Sequence, residues 1–347
     1  MSAPTADTPL EALRARPRRW LVTGAAGFIG SHLVERLLGL DQEVVGLDDF
    51  STGRRENVAA LRTAVGPDRA SRFELVEGDI RDPEACRRAC RGADVVLHEA
   101  ALGSVPRSVK DPISAHDVNV TGFLRVLEAA REAGTRRVVY ASSSSVYGDH
   151  PGLPKVEDAV GSALSPYAAS KRANEVYAAA YRACYGLELV GLRYFNVFGP
   201  RQDPSGPYAA VIPLWFSGLL RGERVVIYGD GETSRDFCFV ENVVRANLLA
   251  ATTANREALG QVFNVACGER TTLNQLFALI RERVARFEPP AASREPAYEG
   301  FRAGDIRHSL ADVRKARALL GYETAFGVAE GLDRAAEWYV REARAAP

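Results

Sequence analysis

The stretch SSSSVYGDHPGLPKVEDAVGSALSPYAASK, residues 142–171, begins with four serines, Ser142 to Ser145, and ends in a Tyr-x-x-x-Lys, Tyr167 and Lys171. On a helix, side chains four apart share a face. A lysine ammonium beside a phenol favours the phenolate and lowers its pKa. Free tyrosine titrates at about 10, so a phenolate base at neutral pH needs a lowering of about 3 pH units, roughly 4 kcal/mol. Such a base takes the proton of a substrate hydroxyl, and a serine hydroxyl nearby can hold the same oxygen. The four serines cannot all serve one site, because alternate residues of a strand face opposite ways. The same spacing of Tyr and Lys is also common on a solvated helix, so the chemistry depends on a cofactor being supplied elsewhere in the chain.

WLVTGAAGFIGSHLVERLL offers a place for one. It sets Gly24, Gly27 and Gly30 between a β-rich run and a helical one, as Gly-x-x-Gly-x-x-Gly. Glycines there allow a tight turn and a close backbone approach to pyrophosphate, with phosphate held at the helix N-terminus. Glycines also end strands for steric reasons alone; the strand-loop-helix context is what points to a dinucleotide. The second β-rich run ends in Asp48-Asp49. A carboxylate there, about 20 residues beyond the loop, suits ribose hydroxyls and repels a 2′-phosphate, which favours NAD over NADP. A pair of solvated turn aspartates is the plainer reading, and Arg54 and Arg55 lean toward a 2′-phosphate. Asp79-Ile80 suits the two sides of an adenine, but GDIRD is equally a strand-ending turn.

These residues need a scaffold. Short apolar runs recur as RRWLVTG, EVVGLDD, RFELVEGDI, DVVLHEAA, RRVVYASSS, ELVGLRYFN and QVFNVA, with helical segments such as SHLVERLLGL and VTGFLRVLEAAREAG between them. That alternation predicts an α/β fold, a Rossmann-like doubly wound parallel sheet whose strand C-termini form one functional edge. After Asn196 the pattern changes to Pro- and Gly-rich loops, with helices in NQLFALIRERVARF and ADVRKARALLG. SRDFCFVENVVRANLLAAT reads as one helical stretch that packs back on the first domain. The expected division is a flexible arm over 1–17, with a short amphipathic turn there the other possibility, a dinucleotide-binding domain over 18–196 joined by about 236–266, and a smaller α/β substrate-binding domain over 197–235 and 267–347.

Forty-four basic residues balance forty-four acidic ones, so no net field draws in nucleic acid or an anionic membrane. An anionic ligand must meet local arginines instead. Cys86, Cys90, Cys184, Cys238 and Cys267 are scattered and odd in number, which suits reduced thiols and a cytoplasmic protein. No Cys/His pair follows Cys86 and Cys90 at zinc spacing, so no metal is expected. The first 17 residues lack a signal-peptide core, and no apolar run reaches membrane-spanning length.

With GAAGFIG, Asp48, HEAA and Tyr167-x-x-x-Lys171 in order, the chain resembles the extended short-chain dehydrogenase/reductases from about residue 18 to the end. Within them it is similar to nucleotide-sugar 4-epimerases; RYFNVFGPRQDP and YGDGETSRDFCFVEN resemble the bacterial UDP-N-acetylglucosamine 4-epimerases. The resemblance implies a tightly bound NAD regenerated in each cycle. Phenolate Tyr167 would take the sugar 4-hydroxyl proton while C4 gives up hydride, and Ser143, counted back from Tyr147-Gly148, would be the catalytic hydroxyl. The cationic nicotinamide would add to Lys171 in favouring the phenolate.

For the cofactor the same resemblance assigns Gly24, Gly27, Phe28, Ile29, Gly30, Asp48, Asp49, Ser51, Gly53, Asp79, Ile80, Ala100 and Tyr194, with Tyr167 and Lys171. For a UDP-sugar it assigns Gly103, Ser104, Ser143, Ser144, Ser145, Asn196, Gln202, Tyr228, Arg235, Arg302, Asp305 and Ser309. Arg235 and Arg302 would grip the diphosphate, and Tyr228 would stack near uracil. Ser309 stands where glucose/galactose epimerases carry a bulky tyrosine, so a serine would leave room for a 2-N-acetyl group. Ser309 is also a weak capping residue, in Ser-x-x-Asp. Arg107 and Ser104 keep uronic sugars open. Relatives pair through two helices, which implies a homodimer through VTGFLRVLEAAREAG and the helix after Tyr167.

Three alternatives stand beside this reading. A UDP-glucuronate decarboxylase shares the Tyr/Lys pair, whereas a 4,6-dehydratase needs Asp-Glu where this chain has Ser143-Ser144. An NAD-binding sensor would keep the fold without needing Tyr167 and Lys171. A dehydrogenase would release its reduced cofactor.

Overall fold

The computed structural model describes residues 12–203, 210–301 and 306–345. Seven parallel strands, β1 (Arg19–Thr23), β2 (Glu43–Asp48), β3 (Phe73–Glu77), β4 (Val95–His98), β5 (Arg137–Ser143), β6 (Glu188–Tyr194) and β7 (Val262–Val265), form one sheet in the order β7-β6-β5-β4-β1-β2-β3. They are the seven apolar runs of the sequence. Successive side chains of each strand enter different cores: Trp20 and Val22 on one face with Leu21 on the other, and Val139 and Ala141 against Val138 and Tyr140. Both faces are buried, which is why the runs are continuously apolar rather than alternating with polar residues.

One face is covered by α1 (Phe28–Gly39), α2 (Arg55–Val65) and α7 (Val240–Thr252); the other by α3 (Pro83–Cys90), α4 (Phe123–Glu132) and α5 (Pro166–Tyr185). A second core lies around Phe198, Trp215, Phe216, Phe237, Phe239, Phe277 and Tyr339, from α6 (Val211–Arg221), α8 (Leu273–Ala285) and α10 (Val328–Ala345). Strand order reverses between β4 and β1, the crevice where doubly wound sheets take their ligands.

Three features depart from the expected organisation. The helical stretch expected from Ser234 begins only at Val240, because Ser234–Arg235 and Cys238–Phe239 are short strands. Ala311, Val313, Ala316, Leu320 and Tyr322, around α9 (Arg314–Leu320), enter the first core rather than the second. The end of the expected arm is docked: Leu13 is 5% exposed, and its carbonyl accepts from Gln42 Nε2 at 3.0 Å. No helix among the described residues is long and apolar enough to cross a membrane.

Candidate active site

The glycine loop is closed by its own backbone. Gly24 N donates to Leu47 O at 2.8 Å and Gly27 N to Gly24 O at 3.0 Å. Gly24 has φ +68°, and a Cβ on Gly30 would lie 2.0 Å from Gly24 O. No side chain caps α1, so its first turn is left to a ligand, the arrangement that holds phosphate. Gly30→Ala must push the loop open. Its bound nucleotide, released by heat and quantified, is expected to fall at least about tenfold per protein, an affinity loss of about 1.4 kcal/mol; full retention would mean that the loop does not hold it.

A cavity of about 650 Å³ runs from this loop along the strand ends. At one end lie Asp48, Asp49, Ser51, Asp79 and Ile80; at the other, Ala100, Ser143, Tyr167, Lys171 and Tyr194. The Asp48 carboxylate accepts from Ala26 N at 2.9 Å and Phe50 N at 2.8 Å, tying the acid to the glycine loop. Gly53 does not line the cavity; it packs behind, where a Cβ would meet Asp48 Oδ1 at 2.5 Å. The two arginines that leaned toward a 2′-phosphate are engaged with acids: Arg55 with Glu77 at 2.8 Å, and Arg54 with Glu342 at 3.4 Å. The glycine cradle, the uncapped helix and Asp48 fit NAD.

At the catalytic end α5 begins at Pro166, where Ser165 accepts from Ala168 N at 3.1 Å. Tyr167 N donates to Ser108 Oγ at 3.0 Å. The expected helical pair is present and lines the cavity, Lys171 buried and Tyr167 half-buried. Lys171 Nζ, however, donates to Ala141 O at 2.8 Å. Burial raises the Tyr167 pKa, and a hydrogen bond with Ser143 opposes it. Burial also lowers Lys171 to about 8, against the attraction of Glu99. The expected lowering counted on two cations, Lys171 and the nicotinamide; among the protein's own groups, burial sets the direction at Tyr167.

The serines divide as a strand demands. Ser142 Oγ donates to Glu175 at 2.7 Å, while Ser143 turns to Tyr167. Ser145 gives both its N–H, at 3.2 Å, and its hydroxyl, at 3.0 Å, to Ser143 Oγ. Ser144 starts a 3-10 turn over Ser144–Tyr147, and neither it nor Ser145 lines the cavity.

Of the other expected substrate residues, Gly103, Ser104 and Gln202 line the cavity. Gln202 spends its Nε2 on Val197 O at 3.0 Å. Asn196 is exposed, and Asn196, Tyr228, Arg235 and Ser309 lie outside the cavity. Arg235 and Ser309 are nevertheless brought together, because Ser309 N donates to Ser234 O at 3.0 Å. Arg302 and Asp305 lie outside the described residues.

Several supporting residues escaped the sequence reading. Arg193, 1% exposed, holds Glu175 with Nε at 2.8 Å and Nη2 at 2.9 Å. Glu175 extends the Tyr167, Lys171 series by one more helical step of four, a signal present in the sequence. Glu99 lines the cavity, half-buried; desolvation raises it to about 8, against the Tyr194 hydrogen bond and Lys171. Its mark is an acid directly after the apolar run DVVLH. Asn119 donates to Ser170 Oγ at 3.1 Å and accepts from Leu102 N at 2.8 Å, joining α5 to the Gly103 loop. Asn264, buried on β7, accepts from Tyr147 at 2.6 Å and donates to Lys155 O at 2.9 Å and Asp312 O at 3.0 Å. It thereby links the serine turn to the segment that follows Ser309.

A dinucleotide cleft lined by a serine, a tyrosine and a lysine fits redox chemistry on a hydroxyl. The profile of the NAD dependent epimerase/dehydratase family matches residues 20–266, and the chain belongs to that family; its cofactor is NAD. The chain is 43% identical over 323 residues to a UDP-glucose 4-epimerase of Mycolicibacterium smegmatis, over 92% of this chain and 98% of the relative. Its structure is similar to the UDP-glucose 4-epimerase of Thermotoga maritima with UDP-glucose, at TM-score 0.83 and 36% identity over 93% of this chain and 99% of that one. It is equally similar to a UDP-N-acetylglucosamine 4-epimerase of Methanobrevibacter ruminantium in complex with UDP-N-acetylmuramic acid, at TM-score 0.83 and 36% identity over 94% and 99% of the two chains. These relatives are isomerases.

Proposed function

We propose that this protein is an NAD-dependent 4-epimerase that interconverts UDP-N-acetylglucosamine and UDP-N-acetylgalactosamine. The observation that carries the reading is the Ser143–Tyr167–Lys171 cluster, which lines the same cleft as Asp48 and in which Ser143 hydrogen-bonds Tyr167. Bound NAD supplies the hydride acceptor and a positive ring that favours the phenolate. Tyr167 takes the 4-hydroxyl proton and gives it back to the C4 oxygen when the keto sugar, presented by its opposite face, is reduced again. Ser143 holds the sugar oxygen through the transfer, and its own position is held by Ser145 and by the strand that places Ser142 on Glu175. Lys171, anchored on Ala141 O, orients the ribose and supplies a fixed charge. Arg235, with Arg302, meets the diphosphate.

The choice of the N-acetyl sugar rests on Ser309 and its adjacency to Ser234 and Arg235. Ser309→Tyr is expected to lower kcat/KM for UDP-N-acetylglucosamine by at least about tenfold relative to UDP-glucose, the scale set by a steric pocket change. An equal change for both sugars would remove Ser309 from the specificity assignment. A second substrate is favoured by Arg107, which lines the cavity beside Ser104 and suits a C6 carboxylate. Proton NMR of product from UDP-N-acetylglucosamine, UDP-glucose and UDP-glucuronate, each given to protein without added NAD, separates the readings. Inverted C4 coupling from the first is the expected result. Turnover of UDP-glucose alone would overturn the N-acetyl choice, and UDP-xylose from the third would make the protein a decarboxylase.

A homodimer fits the exposed apolar residues of α5, Val176 at 59% and Tyr177 at 40%, with Val109 and Ile113 on the preceding short helices. Of the large apolar residues of α4, by contrast, Phe123, Val126 and Leu127 are buried in its own core, with Leu124 half-buried. The free cysteines fit a reducing cytoplasm.

A further inference from the structure

Tyr147, 2% exposed, closes the 3-10 turn that follows Ser143, and its ring packs against Phe195 with centroids 6.0 Å apart. A phenylalanine would fill that space as well, so the buried hydroxyl needs a reason of its own. Burial raises the phenol to about 12, which keeps it protonated and a donor at neutral pH.

Its acceptor sets the direction of a hydrogen-bonded chain. Asn264, fully buried on β7, sends Nδ2 to Lys155 O at 2.9 Å and to Asp312 O at 3.0 Å. Carbonyl oxygens only accept, so the amide nitrogen must face them and Oδ1 is left for a donor. Tyr147 OH fills that place at 2.6 Å. Beyond Asn264 the chain enters the run that begins at Ser309: Lys155 N donates to Leu310 O at 2.7 Å, and Asp312 N donates to Lys155 O at 2.9 Å.

The other end of the chain is Ser143. Its Oγ receives both the N–H and the hydroxyl of Ser145, inside the turn that Tyr147 closes. The Tyr147 carbonyl accepts from His150 N at 3.0 Å and Gly161 N at 3.2 Å, ties that run to the loop after the turn. The side chain reaches past that loop to a strand of the central sheet. A buried polar pair adds little net stability once desolvation is counted, but when satisfied it fixes one arrangement. Here it fixes a turn that starts directly after the reacting serine.

We propose that Tyr147 and Asn264 form a strut that positions Ser143 against the sugar oxygen, referring the serine to the same segment that carries Ser309. Both are positioning residues: neither lines the cavity, and both act through Ser143. The assignment rests on the epimerase reading above, in which Ser143 holds the C4 oxygen.

The test is a double-mutant cycle of wild type, Tyr147→Phe, Ser143→Ala and the two combined. Turnover is followed on whichever of UDP-N-acetylglucosamine, UDP-glucose and UDP-glucuronate the wild type converts, beside the NAD content of each protein. Tyr147→Phe is expected to lower kcat by at least about tenfold, with KM within about threefold and NAD content unchanged, because a displaced catalytic group costs rate rather than binding. In the Ser143→Ala background the same change should cost less than about twofold, since the group it positions is gone. A merely structural tyrosine gives equal losses in both backgrounds. That result, or a Tyr147→Phe kcat within about threefold of wild type, overturns the strut. If Tyr147→Phe does not fold with the Asn264 oxygen left unpartnered, Tyr147→Phe with Asn264→Leu removes both members of the pair and enters the same cycle. A wild type loaded with NAD that converts none of the three sugars refutes the epimerase reading and the strut with it. A working wild type with additive variants refutes the strut alone.

Discussion

Tyr167→Phe should lower kcat by about 10³-fold or more while the protein stays folded and loaded with NAD. The side chain is half-buried, and the Tyr167 backbone N–H is bonded to Ser108 Oγ at 3.0 Å, so the ring and the helix start survive the loss of one oxygen. Lys171 keeps its own anchor on Ala141 O. What disappears is the group that exchanges the 4-hydroxyl proton. Ser143 cannot replace it, because a free serine hydroxyl is far too weak an acid and its oxygen already receives Ser145. The loss should therefore fall on kcat with KM little changed, measured as turnover beside the NAD content of the same preparation. Activity within tenfold of wild type, with NAD bound, would show that another group carries the proton; a sensor role would leave ligand binding whole.

Arg193→Met should cost about 3–5 kcal/mol of stability, the price of a buried carboxylate stripped of its partner. Glu175 is 5% exposed in its side chain and would keep only Ser142 and the half-exposed Arg172. Burial pushes the Glu175 pKa up, but the hydrogen bonds and charge of Arg193 outweigh it, and the net shift is downward. A carboxyl lowered on folding adds stability above its ordinary range, lost as pH falls through the lowered value. In the variant burial acts unopposed by Arg193, so the deficit should be largest near neutrality and shrink as the solution is acidified. Denaturant titrations of both proteins at several pH values check this. A deficit under about 1 kcal/mol at neutral pH would place the pair among ordinary surface bridges. Because Glu175 sits on the helix of Tyr167 and Lys171, lost stability here should also appear as lost activity before global unfolding.

The scaffold was legible because its physics is local. Seven apolar runs sheathed on both faces by helices can form little but a parallel sheet, and the glycine spacing is dictated by backbone clashes at Gly24 and Gly30. The pair Tyr167 and Lys171 was legible for the same reason, since both lie on one helix. What was not legible arises between distant segments. Ser309 meets Ser234 only through a bridge across the second domain, and the acid partner of Tyr194 lies on another strand end, at Glu99. Arg193, a charge inside an apolar strand, announced a buried partner without saying which. The helix in SRDFCFVENVVRANLLAAT starts later than its periodicity predicts because Ser234–Arg235 and Cys238–Phe239 pair with other strands, a tertiary choice that periodicity does not carry. The phenol's pKa depends on desolvation, which spacing alone cannot report.

The most direct measurement follows a single atom. UDP-N-acetylglucosamine deuterated at C4 would be turned over in ordinary water by the purified protein with no added NAD, and the product examined by NMR. If NAD held in this cleft takes the hydride and returns it to the other face, the UDP-N-acetylgalactosamine formed carries the full deuterium at C4. Product with hydrogen from solvent at C4 would contradict hydride return and demand a different chemistry for Tyr167.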